Sequence, residues 1–245
     1  MKKKIIEILS YSPYGFFDNF RKNSRFSKRI KNQSKMIDFY VNNNEIKKMQ
    51  IGCGPNLFEG WMNTDLISND EIVFLDAGVA FPIQSDSFDF IYSEHLFEHL
   101  RVEQQINMLT ESYRILKKGG VLRIATPDLD FLMKLYANPN SPESKDYNEW
   151  YVDKFPHFKM VKNLIADKDQ YFIYVINNFF KAWGHQVIHN VRSLSTLALQ
   201  CNFAQARECK VGESEIMAFK NIEKHGTVLP ERINKFETMV LELTK

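Results

Sequence analysis

IKKMQIGCGPNLFEGWMNTDLISNDEIVFLDAGVAFPIQSDSFDFIYSEHLFEHL, residues 46–100, contains four short apolar segments, each followed by polar or flexible residues. The first runs into Gly52-Cys53-Gly54-Pro55. A turn of this kind needs glycine, because the chain must bend sharply and let a ligand approach without a Cβ in the way. Trp61 to Leu66 reads as a second strand ending in a carboxylate, Asp65, and Ile72 to Ala77 repeats the pattern with Asp76. Phe88 to Tyr92 reads as a fourth strand, followed by Ser93-Glu94-His95. Such a series predicts an open parallel sheet, in which ligands bind beyond the carboxyl ends of the strands.

The order of the tips has a chemical reading. A carboxylate at the second tip can accept both hydroxyls of a ribose. The acid at the third tip, with its neighbouring backbone, can read an adenine amino group. A lone Gly-x-Gly is weak evidence, and the ordered series is much stronger.

In this order the stretch resembles the core of class I S-adenosylmethionine-dependent methyltransferases. Leu116 to Asp128, LKKGGVLRIATPD, resembles their glycine turn into a fifth strand. More narrowly, EHLFEHL (94–100), RIATPDLD (123–130) and ETMVLE (237–242) resemble a bacterial group found with surface-polysaccharide genes. The resemblance covers residues 46–136 well and 190–245 loosely. It implies an α/β, Rossmann-like fold of about seven strands, mostly parallel with an antiparallel last strand. It also implies S-adenosyl-L-methionine as cofactor and a small or carbohydrate-linked acceptor, by preference a hydroxyl. The cofactor-binding residues it implies are Gln50, Gly52, Cys53, Gly54 and Pro55 at the first tip and Asp65 and Leu66 at the second. Asp76 and Ala77 follow at the third, and Ser93 and Glu94 at the fourth.

Two positions depart from the family pattern. Gln50 stands where an acid is common, and Asn56 where a third glycine is expected. The glycine turn also reaches Asp65 quickly, so the first helix must be very short. These departures leave room for a catalytically silent, methyltransferase-like partner subunit. Nicotinamide dehydrogenases share glycine turns and ribose acids, but the crowded spacing to Asp65 and the Ser93-Glu94-His95 tip argue against them.

Methyl transfer from a sulfonium is an in-line displacement in which alignment supplies much of the acceleration. A hydroxyl acceptor adds the need for a base. His95, directly after the fourth strand, is the first candidate, because a neutral imidazole accepts a proton near pH 7. His185, in WGHQVIH (183–189), and Asp128, after the fifth strand, are further candidates. His99 reads as structural. HLFEH (95–99) matches the H-x-x-E-H order of some zinc proteases, but it follows a strand of the donor-binding series, and no metal is expected from it.

The remainder of the chain sets bounds. Its 245 residues suffice for one decorated domain, and 44% hydrophobic with 25% charged residues is ordinary for a globular protein. No apolar run reaches the ~18 residues of a membrane span, and the N-terminal sequence does not resemble a signal peptide. Cys53, Cys201 and Cys209 have no metal spacing and read as reduced thiols in a cytoplasm. Residues 1–35 hold ten Lys or Arg against Glu7 and Asp18, a local +8 within a net +2 that leaves the rest at −6.

Residues 1–45 therefore read as a basic, aromatic helical extension suited either to capping the sheet or to touching anionic lipid. A nucleic-acid or protein methyltransferase is a further alternative that the basic N-terminus would serve, disfavoured because the remainder is acidic. Residues 46–136 form the cofactor-binding core and 187–245 the C-terminal half of the sheet. Between them, 137–186 is an aromatic insertion, read as a lid over the acceptor or as a helical subdomain with its own core. Helices are expected over 102–117, ended by Gly119-Gly120, and over 193–201. Strands are expected at 121–125, 204–211 and 236–243.

Overall fold

The computed structural model describes residues 24–225 and 229–245. Most of the basic aromatic segment, and the lipid contact expected of it, lies outside the described residues. Helix α1 (Ser24–Asn43) delivers the chain to the first strand. Among the described residues, no helix is long and apolar enough to cross a membrane.

The centre of the sheet is β1 (Lys48–Ile51) beside β4 (Phe88–Glu94). β2 (Met62–Asp65) and β3 (Val73–Phe74) extend one side. β5 (Leu116–Pro127), β6 (Gln205–Cys209) and β7 (Thr238–Thr244) form the other. The order is β3-β2-β1-β4-β5-β7-β6, with β7 antiparallel to both of its neighbours and the other pairs parallel. This is the Rossmann-like methyltransferase fold that the resemblance implies.

Helices α2 (Val102–Ile115) and α7 (Val191–Gln200) cover one face, packing Met108, Leu109, Leu194 and Ala198 on Ile51, Ile91 and Leu122. On the other face, Tyr92 and Val121 pack with Phe219 and Ile222. Strands covered on both faces explain why β1 and β4 read as apolar runs.

Several boundaries differ from the sequence expectation. No helix forms over 52–61. β3 has two residues rather than six, because the Asp76 carboxylate accepts the Gly78 N–H at 2.8 Å and folds the chain into an Asx turn. The glycine pair does not stop α2. β5 starts at Leu116, and Gly119 (φ 78°) lies within it, donating to the Lys245 carbonyl at 3.0 Å. α7 begins before Ser193, because Asn190 and Ser193 cap its first turn reciprocally.

The insertion after β5 holds α3 (Leu129–Ala137), α4 (Pro142–Lys154), α5 (Lys159–Leu164) and α6 (Tyr171–Lys181). Phe131, Tyr147, Tyr151 and Phe179 form its own core, joined by Ile233 of α8 (Glu231–Glu237). Most of the aromatic side chains of 137–186 thus face one another, while Tyr174, Phe180 and Trp183 are exposed.

Candidate functional site

The carboxyl edge of the sheet gathers the four tips. Beyond β1 the chain turns through Gly52 (φ 72°) and Gly54 (φ 51°). The N–H groups of Gly52 and Cys53 both donate to the Thr64 carbonyl on β2, at 2.9 and 3.0 Å. A Cβ at Gly52 would come within 2.8 Å of the Leu96 side chain, so the turn is pressed against the segment after β4. A Cβ at Gly54 would meet nothing within 4 Å, so an open cradle lies over this turn.

Asp65 holds the cradle from the second tip. Its Oδ2 accepts the Gly54 N–H at 2.9 Å and its Oδ1 the Ile67 N–H at 3.1 Å. Pro55 is exposed and Leu66 half-buried beside it. The Cys53 thiol is buried, and burial, followed by the Asp65 charge, pushes its pKa up to about 12. It is therefore an inert neutral group. At the third tip Ala77 is buried, and its carbonyl accepts from Asn107 Nδ2 at 2.9 Å.

Gln50 Oε1 and Ser93 Oγ, near the ends of the paired strands β1 and β4, are buried without a hydrogen-bond partner. Buried polar atoms are rarely left so. Unmet hydrogen-bonding capacity beside an open glycine cradle fits a polar ligand here. Glu94 is differently employed. Its carboxylate accepts the backbone N–H groups of Lys224 and His225 at 2.9–3.0 Å, which pins that loop to the end of β4.

His95 follows with φ 47°, and its backbone N–H donates to the Ala125 carbonyl at 2.9 Å on β5. Its Nδ1 lies 3.1 Å from Glu98 Oε1, and its Nε2 is buried without a partner. Glu98 is 1% exposed and also accepts from Thr126 Oγ1 at 3.0 Å. Burial opposes the charge on Glu98, but the hydrogen bond and charge of His95 outweigh it and hold the carboxyl at about 2. Burial likewise opposes a charged His95 ring, and Glu98 outweighs it, raising the pKa above the ordinary value.

The other candidates stand nearby in different surroundings. His185 lies under the helical insertion, with Nδ1 2.7 Å from the Phe179 carbonyl, and burial lowers its pKa. Its ring centroid is 4.9 Å from that of His99, at an interplanar angle of 74°. Both ring nitrogens of His189 are used, by Ser193 Oγ and Gln105 Oε1. Asp128 is the N-cap of α3, accepting the Asp130 N–H at 2.9 Å, and burial raises its carboxyl pKa. Asp128→Ala is expected to lower stability by about 1 kcal/mol through loss of the cap, measured by urea denaturation. An unchanged stability would remove the capping role.

Sequence reasoning missed three groups at this edge. His225 lies against His95 with ring centroids 3.8 Å apart, Glu237 lies 3.6 Å from His225 Nε2, and Tyr147 donates to Glu237. Glu237 falls within the ETMVLE similarity, which marks the segment but not the side chain. Nothing local marks His225.

Residues 56–124 match a protein-family model described as a methyltransferase domain. The chain is similar in structure to a SAM dependent methyltransferase from Archaeoglobus fulgidus, at 14% identity and TM-score 0.45, covering 89% of this chain and 94% of that one. An S-adenosylmethionine dependent methyltransferase from Mesorhizobium loti gives 14% identity and TM-score 0.45, with 82% and 91% covered. Phosphoethanolamine N-methyltransferase 2 of Haemonchus contortus, in complex with S-adenosyl-L-methionine, gives 14% and 0.40, with 87% and 52% covered. A comparison with curated proteins gives no match. The cofactor that the domain match indicates is S-adenosyl-L-methionine.

Proposed function

We propose that this chain is an S-adenosylmethionine-dependent methyltransferase acting on a hydroxyl of a small or carbohydrate-linked acceptor. The observation that carries the reading is the glycine cradle tied to Asp65, beside a histidine held by a buried carboxylate. Bound in the cradle, the cofactor supplies an electrophilic methyl group on sulfur. The chain's own part is alignment and proton removal. Gly52 and Gly54 let the backbone approach the methionine portion, Gln50 offers a buried carbonyl oxygen to its amino-acid end, and Asp65 holds the ribose. Asp76 and Ala77 lie by the adenine, while Cys53, Pro55, Leu66 and Ser93 shape the pocket. His95 takes the hydroxyl proton on Nε2, the nitrogen left without a partner while Nδ1 is turned to Glu98. This is the orienting logic of a base held by a third group. His185 borders the acceptor side, and Asp128 acts there through the start of α3.

The narrow likeness of EHLFEHL, RIATPDLD and ETMVLE to the polysaccharide-associated group favours sugar-linked acceptors in surface-polysaccharide biosynthesis. The altered Gln50 and Asn56 favour, as a second reading, a silent partner subunit. A thermal melt separates these. At 100 times the dissociation constant, S-adenosylmethionine or its demethylated product adds about 2.7 kcal/mol, a shift of roughly 5–10 °C for a chain of this size. NAD gives none. Label transfer from the donor to nucleotide-linked and lipid-linked sugars then tests the acceptor class. Donor binding without transfer to any acceptor supports the silent subunit, and no shift with either methyl-cycle ligand overturns the enzyme reading.

A further inference from the structure

The HLFEH segment (95–99) does not place His95 and His99 on one helix face. His95 lies before the short 3-10 turn Phe97–His99, at positive φ. The turn instead presents Glu98 and His99 to a third residue, His185, which returns after the whole helical insertion. One ligand atom from each of Glu98, His99 and His185 lies within 4.8 Å of the others. We propose that these three residues bind a divalent first-row transition ion, with zinc as the reference.

The spacing is that of ligands around an ion rather than of groups bonded to each other. His99 Nε2 is 3.9 Å from Glu98 Oε1, too far for a hydrogen bond. Two ligands of one ion with bonds of about 2.0–2.2 Å lie at most about 4.4 Å apart, a limit that the 3.9 Å separation meets. The two imidazoles stand near-perpendicular rather than stacked, which lets two ring nitrogens converge. His185 gives Nδ1 to the Phe179 carbonyl and so keeps the Nε2 lone pair free. A ligating histidine ordinarily donates its other N–H to a carbonyl in this way. Glu98 is anchored by Thr126 and His95, as ligating carboxylates are, and an oxygen shared with His95 retains a second lone pair.

The donor set is two imidazoles and one carboxylate, which suits zinc and its first-row neighbours rather than magnesium or calcium. The site is reachable, since the His99 side chain is 32% exposed. Three protein ligands would leave a coordination position open. Glu98 and His185 also enter the methyl-transfer reading, but the zinc titration reads binding without turnover, so either claim can fail alone.

The test uses the full chain, stripped with chelator and titrated with zinc by calorimetry, with cobalt(II) substituted for its visible spectrum. The expected result is one ion per chain and cobalt bands of tetrahedral intensity. His99→Ala and His185→Ala are each expected to weaken zinc at least about 10- to 100-fold, the range seen even when only supporting groups are removed. His225→Ala, in the neighbouring His95–His225–Glu237 group, is expected to leave the affinity unchanged. The partly exposed His99 can be replaced without opening the core, and thermal melts confirm folding of each variant. Absence of stoichiometric zinc, affinity that survives both His99→Ala and His185→Ala, or loss on His225→Ala alone would overturn the assignment.

Discussion

Asp65→Ala is expected to weaken S-adenosylmethionine binding by at least about 100-fold. A hydrogen bond to a charged group contributes about 1.5–3 kcal/mol. Two ribose hydroxyls on one carboxylate, as proposed for Asp65, would therefore account for about 3 kcal/mol or more, and each 1.4 kcal/mol is tenfold. The carboxylate also holds the turn, since Oδ2 accepts the Gly54 N–H and Oδ1 the Ile67 N–H. Both amides lie at the exposed edge of the site, where water can replace the lost oxygens, so folding should change little. Calorimetric titration of the variant with the donor measures the effect. An unchanged dissociation constant would remove Asp65 from the ribose and with it the main anchor of the proposed pocket.

Arg123→Met is expected to lower the unfolding free energy by about 3–5 kcal/mol, the usual consequence of leaving a buried charge without its partner. The Arg123 side chain, on β5, is 0% exposed. Its Nε donates to Glu223 and its Nη1 to Glu242, each at 2.7 Å, and the Glu213 and Lys210 carbonyls accept from the remaining N–H groups. Both carboxylates are themselves buried, at 1% and 3% exposure. Burial opposes the charge on Glu242, yet the bonds from Ser214 and Arg207, with the charge of Arg123, hold its pKa below the usual range. Methionine fills much of the volume and supplies no charge. At about 2–4 °C per kcal/mol for a chain of this size, the melting temperature falls by roughly 6–20 °C. Combining Arg123→Met with Glu223→Gln and Glu242→Gln should recover part of the loss, because no charge then remains unpaired. A single variant as stable as the parent would show that the cluster contributes nothing.

The two experiments probe different layers. Asp65 lies at the tip of a strand whose sequence announces it, while Arg123 lies inside a strand with neighbours at positions 210–242. A strand tip is legible locally, because an apolar run followed by glycine or aspartate reports both the strand and its exposed end. The strand count and the antiparallel last strand were implied by the family resemblance, and the order β3-β2-β1-β4-β5-β7-β6 is seen only in the folded sheet. Boundaries were less legible where a specific hydrogen bond overrides the general pattern. The distant Lys245 carbonyl draws Gly119 into β5, and the local Asx turn at Asp76 cuts β3 short.

The sequence by itself determined the open parallel sheet and the residues at its four strand tips, because side-chain periodicity and glycine turns are properties of neighbouring residues; the fold class and the cofactor came from the resemblance that the ordered series carries. Only the tertiary structure decided the company those residues keep. Glu98 reads as one more charge in a short turn, and burial beneath Thr126, His95, His99 and His185 makes it the hub of the edge. His225 and Glu237 reach His95 because β7 runs antiparallel, so the chain entering it arrives at the carboxyl edge. Most aromatic residues of 137–186 pack on one another, since a helical insertion of this size needs a core of its own, and Tyr174, Phe180 and Trp183 are left at its surface.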